Sequence, residues 1–226
     1  MALLATATLA SRVSGIRGGV GWINFGIAGC SERRYGEACL SAKVTDGGNE
    51  RSWYPVPTWR KKADLPRLPL TTVEKSFTDY SKVNGLVEME ASGFYGIALK
   101  QSSVELVQVL KIVSDDPDHS IEALNPAIAT ELCERAWPTV EPWLDAFREV
   151  IGEDADRIAD PSGFVEWCDR CRLSVTQVHQ LRRLLQEWDS LSDDPIELPP
   201  EDLHGNAALQ LLRDQLLEMR ERQIQV

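Results

Sequence analysis

Apolar and polar positions change rhythm several times along this chain. "GWINFGIAG" (Gly21–Gly29) is a nearly unbroken apolar run and predicts a short buried strand ending in a Gly-x-Ala-Gly turn. "ACLSAKVTD" (Ala38–Asp46) alternates and predicts a second strand, and "GGNE" followed by "RSWYPVP" predicts a turn and a third, so that the two form a hairpin. Residues 56–69 are polar and proline-rich and read as a loop; "LTTVEK" and "GLVE" read as two further strands. "MEASGFYGIALKQS" has helical spacing, with Met89, Phe94, Ile97 and Ala98 on one stripe. The most strand-like run is "VELVQVLKIVSD" (Val104–Asp115). "IEALNPAIATELCERAW" and "VEPWLDAFREVIG" predict helices broken near Pro138 and Pro142.

Two more helices are predicted near the end of the chain. Ser174 with Gln177 forms a capping box before the stripe Val175, Val178, Leu181, Leu185, Trp188. Leu209, Leu212, Leu216 and Met219 repeat the same spacing. Strands and helices alternate up to about residue 150 and helices alone follow. The pattern predicts an α/β domain over residues 1–150 and an α-helical region over 151–226. The first twenty residues carry Arg but no acid; the spacing of Leu4, Ala5, Thr8, Leu9 and Val13 suits a short helix on the sheet, and the composition also suits a targeting segment.

Charge sharpens the division. Residues 1–140 hold 15 basic and 16 acidic side chains, whereas residues 141–226 hold 9 and 19 and no lysine. Most of the net charge of −11 therefore sits on the helical region, which argues against a nucleic-acid partner there. No apolar run approaches the ~20 residues that span a bilayer, so no membrane partner is expected. Five scattered cysteines (Cys30, Cys39, Cys133, Cys168, Cys171) point to reduced thiols and a cytoplasmic protein.

Three features stand at carboxyl ends of predicted strands: the Gly26–Gly29 turn, the Met89–Glu90 step, and Ser114-Asp115-Asp116. In open α/β sheets the ligand crevice lies there. Each has a plainer reading alone. An acid after a strand is commonly a helix cap, and Glu90 in a first helical turn would simply favour the macrodipole.

Taken together and in order, "INFGIAG", "LVEMEASGF" and "KIVSDDPD" resemble the nucleoside phosphorylase and nucleosidase superfamily, over roughly residues 1–150. The resemblance implies a three-layer α/β/α domain with a central mixed, mostly parallel sheet, lacking the family's first strands. It implies cleavage of the N-glycosidic bond of a purine nucleoside. Asp115 matches the acid that assists the leaving base, and burial beside an apolar strand would help such a group hold a proton. Glu90 matches the carboxylate that accepts hydrogen bonds from ribose hydroxyls, with a helix N-terminus favouring its charged form. Met89 matches the residue packed on the sugar. Ser114 would orient Asp115, Ala28 and Gly29 would admit the ligand to the backbone, and Glu88 flanks the ligand or is structural. The family implies no cofactor, phosphate entering as co-substrate only in phosphorolysis. It also implies a homo-oligomer that binds a small-molecule nucleoside.

Two departures favour hydrolysis. Ile27 stands where phosphate-using members carry a hydroxyl residue, and Asn24 where some carry an arginine; Ile cannot donate to phosphate. No acid precedes Glu32, so the water-activating Glu that nucleosidases carry upstream has no counterpart here. A second reading follows: a catalytically degenerate nucleoside-binding or scaffolding protein whose helical tail contacts a partner. Other features read as ordinary. Cys168-x-x-Cys171 with His179 lacks the fourth ligand of a structural zinc site, so no metal is expected. Asp116 reads as a cap and His119 as a loop histidine. The basic cluster Trp59–Lys62 reads as solvated, and Phe94 and Tyr95 as core.

Overall fold

The computed structural model describes residues 2–13, 19–32, 34–56, 65–75, 79–192 and 194–224. The Trp59–Lys62 cluster lies outside the described residues. The chain divides into two compact units, Met1–Ile158 and Ala159–Val226.

The first unit is mixed α/β. Its elements are α1 (Ala2–Val13), β1 (Trp22–Cys30), β2 (Ala38–Asp46), β3 (Ser52–Trp53), β4 (Arg67–Thr72), β5 (Leu86–Glu88), α2 (Ala91–Ala98), β6 (Val107–Asp115) and α3 (Pro126–Ile158). The sheet runs β3-β2-β4-β5-β1-β6, and β6 pairs back onto the start of β2, so five strands close into a ring. β2/β4, β4/β5 and β1/β6 are parallel; β1/β5, β2/β6 and β2/β3 are antiparallel. β2 and β3 form the expected hairpin.

One seam of the ring is narrow. β1 and β5 share only the pairs Gly29↔Val87 and Cys30↔Leu86. Beyond them β5 turns away into α2, and Gly26–Ala28 lose their neighbour on that side. On the other side β6 pairs with β1 from Trp22↔Val107 to Gly29↔Asp115. That ladder, which shifts register between Ala28 and Gly29, keeps the glycines in the strand, so Gly26–Gly29 lie inside β1 and not in a turn after it. All nine residues of β6 are buried, and the residues before it, Val104–Leu106, form a short 3-10 turn in place of the predicted strand start.

Helices cover the sheet from two sides. Ala10 of α1 and Ala91, Phe94, Tyr95 and Ala98 of α2 share one core with Leu70, Leu86 and Val109; Phe94 and Tyr95 are core residues. Leu132, Ala136, Val140, Trp143 and Phe147 of α3 share another with Leu40, Leu110 and Ile112. The predicted break at Pro138 and Pro142 does not occur: α3 is one helix of 33 residues. Both prolines are exposed. The buried stripe passes beside them unbroken, and each large apolar side chain buried contributes roughly 1.5–3 kcal/mol, which offsets the missing backbone bonds. Asn125 caps the start, accepting from the N–H groups of Ala127 (3.0 Å) and Ile128 (3.1 Å).

The second unit is all helix: α4 (Phe164–Arg170), α5 (Val175–Leu191) and α6 (Gly205–Ile224). The Ser174–Gln177 capping box opens α5. Leu181 and Leu185 pack with Trp167, Leu209, Leu212 and Leu216, while Val175 at the end of the predicted stripe is exposed. Cys168 and Cys171 are free thiols, both pushed up by burial. No helix among the described residues is long and apolar enough to cross a membrane.

Candidate active site

Where β1 and β5 part, a cavity of about 370 Å³ opens between Gly26–Gly29 on one side and Val87–Glu90 on the other. β6 supplies its floor with Lys111, Ser114 and Asp115; Val73, Ile121 and Leu124 add apolar wall. Ala28, Gly29, Glu88, Met89, Glu90, Ser114 and Asp115, scattered over three sequence segments, all line this one space. β5 reaches it because it runs antiparallel to β1, so its C-terminal end lies beside the middle of β1. The strand ends are not gathered along one edge.

Asp115 is the most enclosed acid of the cavity, at 2% exposure. Each oxygen accepts a hydroxyl. Ser114 donates to Oδ1 at 2.5 Å, with the Ala28 carbonyl 3.3 Å from the same hydroxyl, and Tyr80 donates to Oδ2. Gly29 makes this geometry possible. A Cβ there would stand 2.5 Å from Asp115 Oδ2 and 3.1 Å from both the Tyr80 ring and Val87.

Glu88 and Glu90 are two residues apart but opposite in setting. Glu88 is buried at the end of β5 and accepts from Thr72 Oγ1 (2.8 Å), the Glu90 N–H (2.9 Å) and the Ala91 N–H (2.9 Å). Its Oε2 also meets Lys111 Nζ at 3.1 Å, both side chains being buried. Thr72 in turn accepts from the Ser92 N–H at 3.0 Å. Glu88 therefore holds the N-terminus of α2 and neutralises a buried ammonium; its hydrogen-bonding capacity is spent on protein. Glu90 occupies the N-cap position of α2, yet its side chain makes no capping bond. It is exposed, as is Met89 at 53%. The helix-end role expected of Glu90 thus belongs to Glu88, because a residue at the strand's end can fold its carboxylate back under the first turn.

Asp116 points out of the cavity into the following loop. It accepts from the N–H groups of Tyr35 (3.1 Å), Asp118 (3.0 Å) and His119 (3.0 Å) and meets His119 Nδ1 at 2.8 Å. Burial raises its pKa, but the His119 and backbone bonds outweigh that and hold it below the ordinary value. The His119 ring stacks on Tyr35 at 3.9 Å between centroids.

Lys111 and Tyr80 escaped the sequence reading. Lys111 had a signal: it is the one cation of β6, flanked by the apolar Leu110 and Ile112 and four residues before Asp115. Tyr80 had none, since only the fold carries its short 3-10 turn across Gly29. Burial, and then the bond to Asp115, push its phenol well above the ordinary value, so the phenol keeps its proton and donates.

No family model matches the chain, and no curated protein matches it. Solved structures do align. One is a 5′-methylthioadenosine/S-adenosylhomocysteine nucleosidase of Colwellia psychrerythraea in complex with adenine, at 18% identity over 66% of this chain and 73% of that one, TM-score 0.46. Another, from S. pneumoniae with a transition-state inhibitor, is 15% identical over 64% and 76%, TM-score 0.48. A third, from Chlamydia trachomatis, is 19% identical over 56% of this chain, TM-score 0.41, and the chain spans 64% of its length. These nucleosidases are what part of the chain is similar to.

Proposed function

We propose that the α/β unit hydrolyses the N-glycosidic bond of a purine nucleoside. One observation carries the reading: Asp115 and Glu90, the acids that the sequence resemblance assigns to base and sugar, line one cavity, the first buried and held, the second exposed and free. Breaking the C1′–N bond leaves an electron pair on the base and positive charge on the ribose. Asp115 meets the leaving purine at N7 and supports that pair by hydrogen bonding or proton transfer. Glu90 accepts from the ribose hydroxyls, and its charge favours the oxocarbenium-like sugar. Met89 packs on the sugar face. Extended Gly26–Ala28, with no strand on that side, lets the base approach the backbone closely. Water adds to C1′ and the base leaves with a proton, so free ribose and free base result.

Electrostatics favours water over phosphate. The described lining holds three carboxylates, Glu88, Glu90 and Asp115, and one cation, Lys111, which Glu88 already neutralises. A phosphate dianion would meet net negative charge. Lys111 spends one of its three donors on Glu88 and has others to hold a water. The reading takes the protein as a cytoplasmic homo-oligomer without cofactor; its cysteines, all free, accord with that compartment.

The test is incubation with purine nucleosides, with and without inorganic phosphate. Phosphate-independent release of base and ribose is expected. Release that requires phosphate overturns hydrolysis, and equal release by Asp115→Asn overturns the role of Asp115. A second reading, nucleoside binding without turnover, is favoured by one observation. Glu88 is saturated by protein donors, and with Asp115 and Glu90 assigned elsewhere no lining carboxylate is left to activate water. Adenine binding by calorimetry without base release would select it.

A further inference from the structure

Asp115 is gripped on both oxygens, and the grip on Oδ2 comes from a residue that does not line the cavity. Tyr80 instead lines a neighbouring polar hollow with Ser31, Ser81 and Asp116. Its ring fills the wall between the two spaces, over Gly29, while its hydroxyl reaches through to Asp115. A buried tyrosine commonly finds some partner for its hydroxyl, so a bond alone says little. Three facts say more. The partner is the one acid assigned to the leaving group. The opposite oxygen is held by Ser114, so the carboxyl plane is fixed at both ends. And the residue between Tyr80 and Asp115 is a glycine, where any Cβ would stand against both.

We propose that Tyr80 is a positioning residue for base departure: its hydroxyl, with that of Ser114, fixes the Asp115 carboxyl against the leaving base, and its ring closes the cavity from the polar hollow beside it. This rests on the hydrolytic reading above. The phenol keeps its proton and donates, so Tyr80 acts through Asp115 and not on the substrate. Near the phenol, Asp115, Asp116 and Cys30 are the ionisable groups. From the cavity side the carboxyl faces Glu88, Glu90 and Lys111, of which Glu88 and Lys111 neutralise each other.

Tyr80→Phe keeps the ring and removes the hydroxyl. With one of its two holds gone, the acid is free to turn from the leaving base, so kcat for base release should fall by about 10- to 100-fold, with KM within about threefold. A fall in kcat with KM near the wild-type value is a split that a loss of packing across the cavity would not produce. Adenine affinity is measured in parallel by calorimetry and should fall about tenfold. If wild type releases base and Tyr80→Phe matches it in kcat, KM and adenine affinity, Tyr80 has no positioning role and the hydrolytic reading stands. If wild type binds adenine without turnover, a weaker Tyr80→Phe affinity upholds the grip on Asp115 and an unchanged one overturns it. If wild type neither turns over nor binds, the hydrolytic reading has failed and the assignment of Tyr80 with it.

Discussion

The two ends of the cavity are built on opposite plans. At one end, Asp115 is enclosed, and Ser114, Tyr80 and Gly29 fix where it points. At the other end, Glu90 stands exposed with no side-chain bond at the helix start, beside an exposed Met89. A fixed, dry carboxyl costs no reorganisation when charge develops beside it. A free, wet carboxylate gains its partners only when hydroxyls arrive with the ligand. One end of the cavity is thus fixed by protein, and the other keeps its carboxylate open to solvent. Glu88 shows what the same chemical group becomes when protein takes all its capacity: a structural anchor for α2 and Lys111.

The contrast breaks most decisively at Asp115. Asp115→Asn keeps shape but loses the acid, and loss of a general acid costs about 10²- to 10⁴-fold in rate. Base release measured under single-turnover conditions should fall within that range while the melting temperature stays close to wild type. A loss confined to KM would place Asp115 in binding alone. Next in size is Glu88→Ala. Removing one member of a buried pair strands the other charge and costs about 3–5 kcal/mol, here compounded by the two N–H groups of α2 left unpaired. Chemical denaturation should show that loss for Glu88→Ala and under ~0.5 kcal/mol for Glu90→Ala. Equal losses would erase the distinction between the anchored and the free glutamate.

That distinction was only half legible in the sequence. "VEME" placed both glutamates at a strand-to-helix join, and the motif order gathered Asp115 and Glu90 before any coordinates. What a motif does not carry is direction. Glu88, still on the strand, turns inward to Lys111, and Glu90, one step past the turn, faces solvent. The partner that settles Glu88's role sits 23 positions away on β6, a register known only once β1 and β6 pair. Tyr80 was invisible for the same reason at greater remove, since a glycine on another strand makes room for its contact. Among the α-helical predictions, the break at Pro138 and Pro142 failed because a local breaker rule met a continuous buried stripe and the stripe prevailed. The capping box at Ser174, which depends on residues three apart, was fully readable.

A smaller effect probes the free end. Glu90→Gln keeps size and removes charge, and losing a charge-assisted bond to ribose costs about 1.5–2 kcal/mol, or roughly 10- to 30-fold in kcat/KM. The comparison with a 2′,3′-dideoxynucleoside sharpens it: that substrate already lacks the hydroxyls, so Glu90→Gln should cost it little. A loss as large as with the ribonucleoside would mean that Glu90 acts through charge on the ring and not through its hydroxyl bonds.

The smallest effect on base release belongs to Asp116, next to Asp115 but turned to the other face. Its donors are all protein, from Tyr35, Asp118 and His119. They outweigh the cost of burial and depress its pKa in the folded state. A carboxyl depressed in this way contributes stability that is fully present above the unfolded value near ~3.9 and is lost as pH falls through the lower folded value. Asp116→Asn removes the charge and sets an NH2 against a donor on one side, so it should cost about 1–3 kcal/mol at neutral pH. Its stability should then fall less steeply than wild type as pH drops below the unfolded value near ~3.9. Denaturant midpoints across that window measure the difference, and base release at pH 7 should stay within about twofold of wild type. An identical acid slope would show that His119 and the loop hold Asp116 no more tightly in the folded than in the unfolded chain. A large loss of base release would move Asp116 into the site beside Asp115 and undo the division between the face that meets ligand and the face that holds the loop.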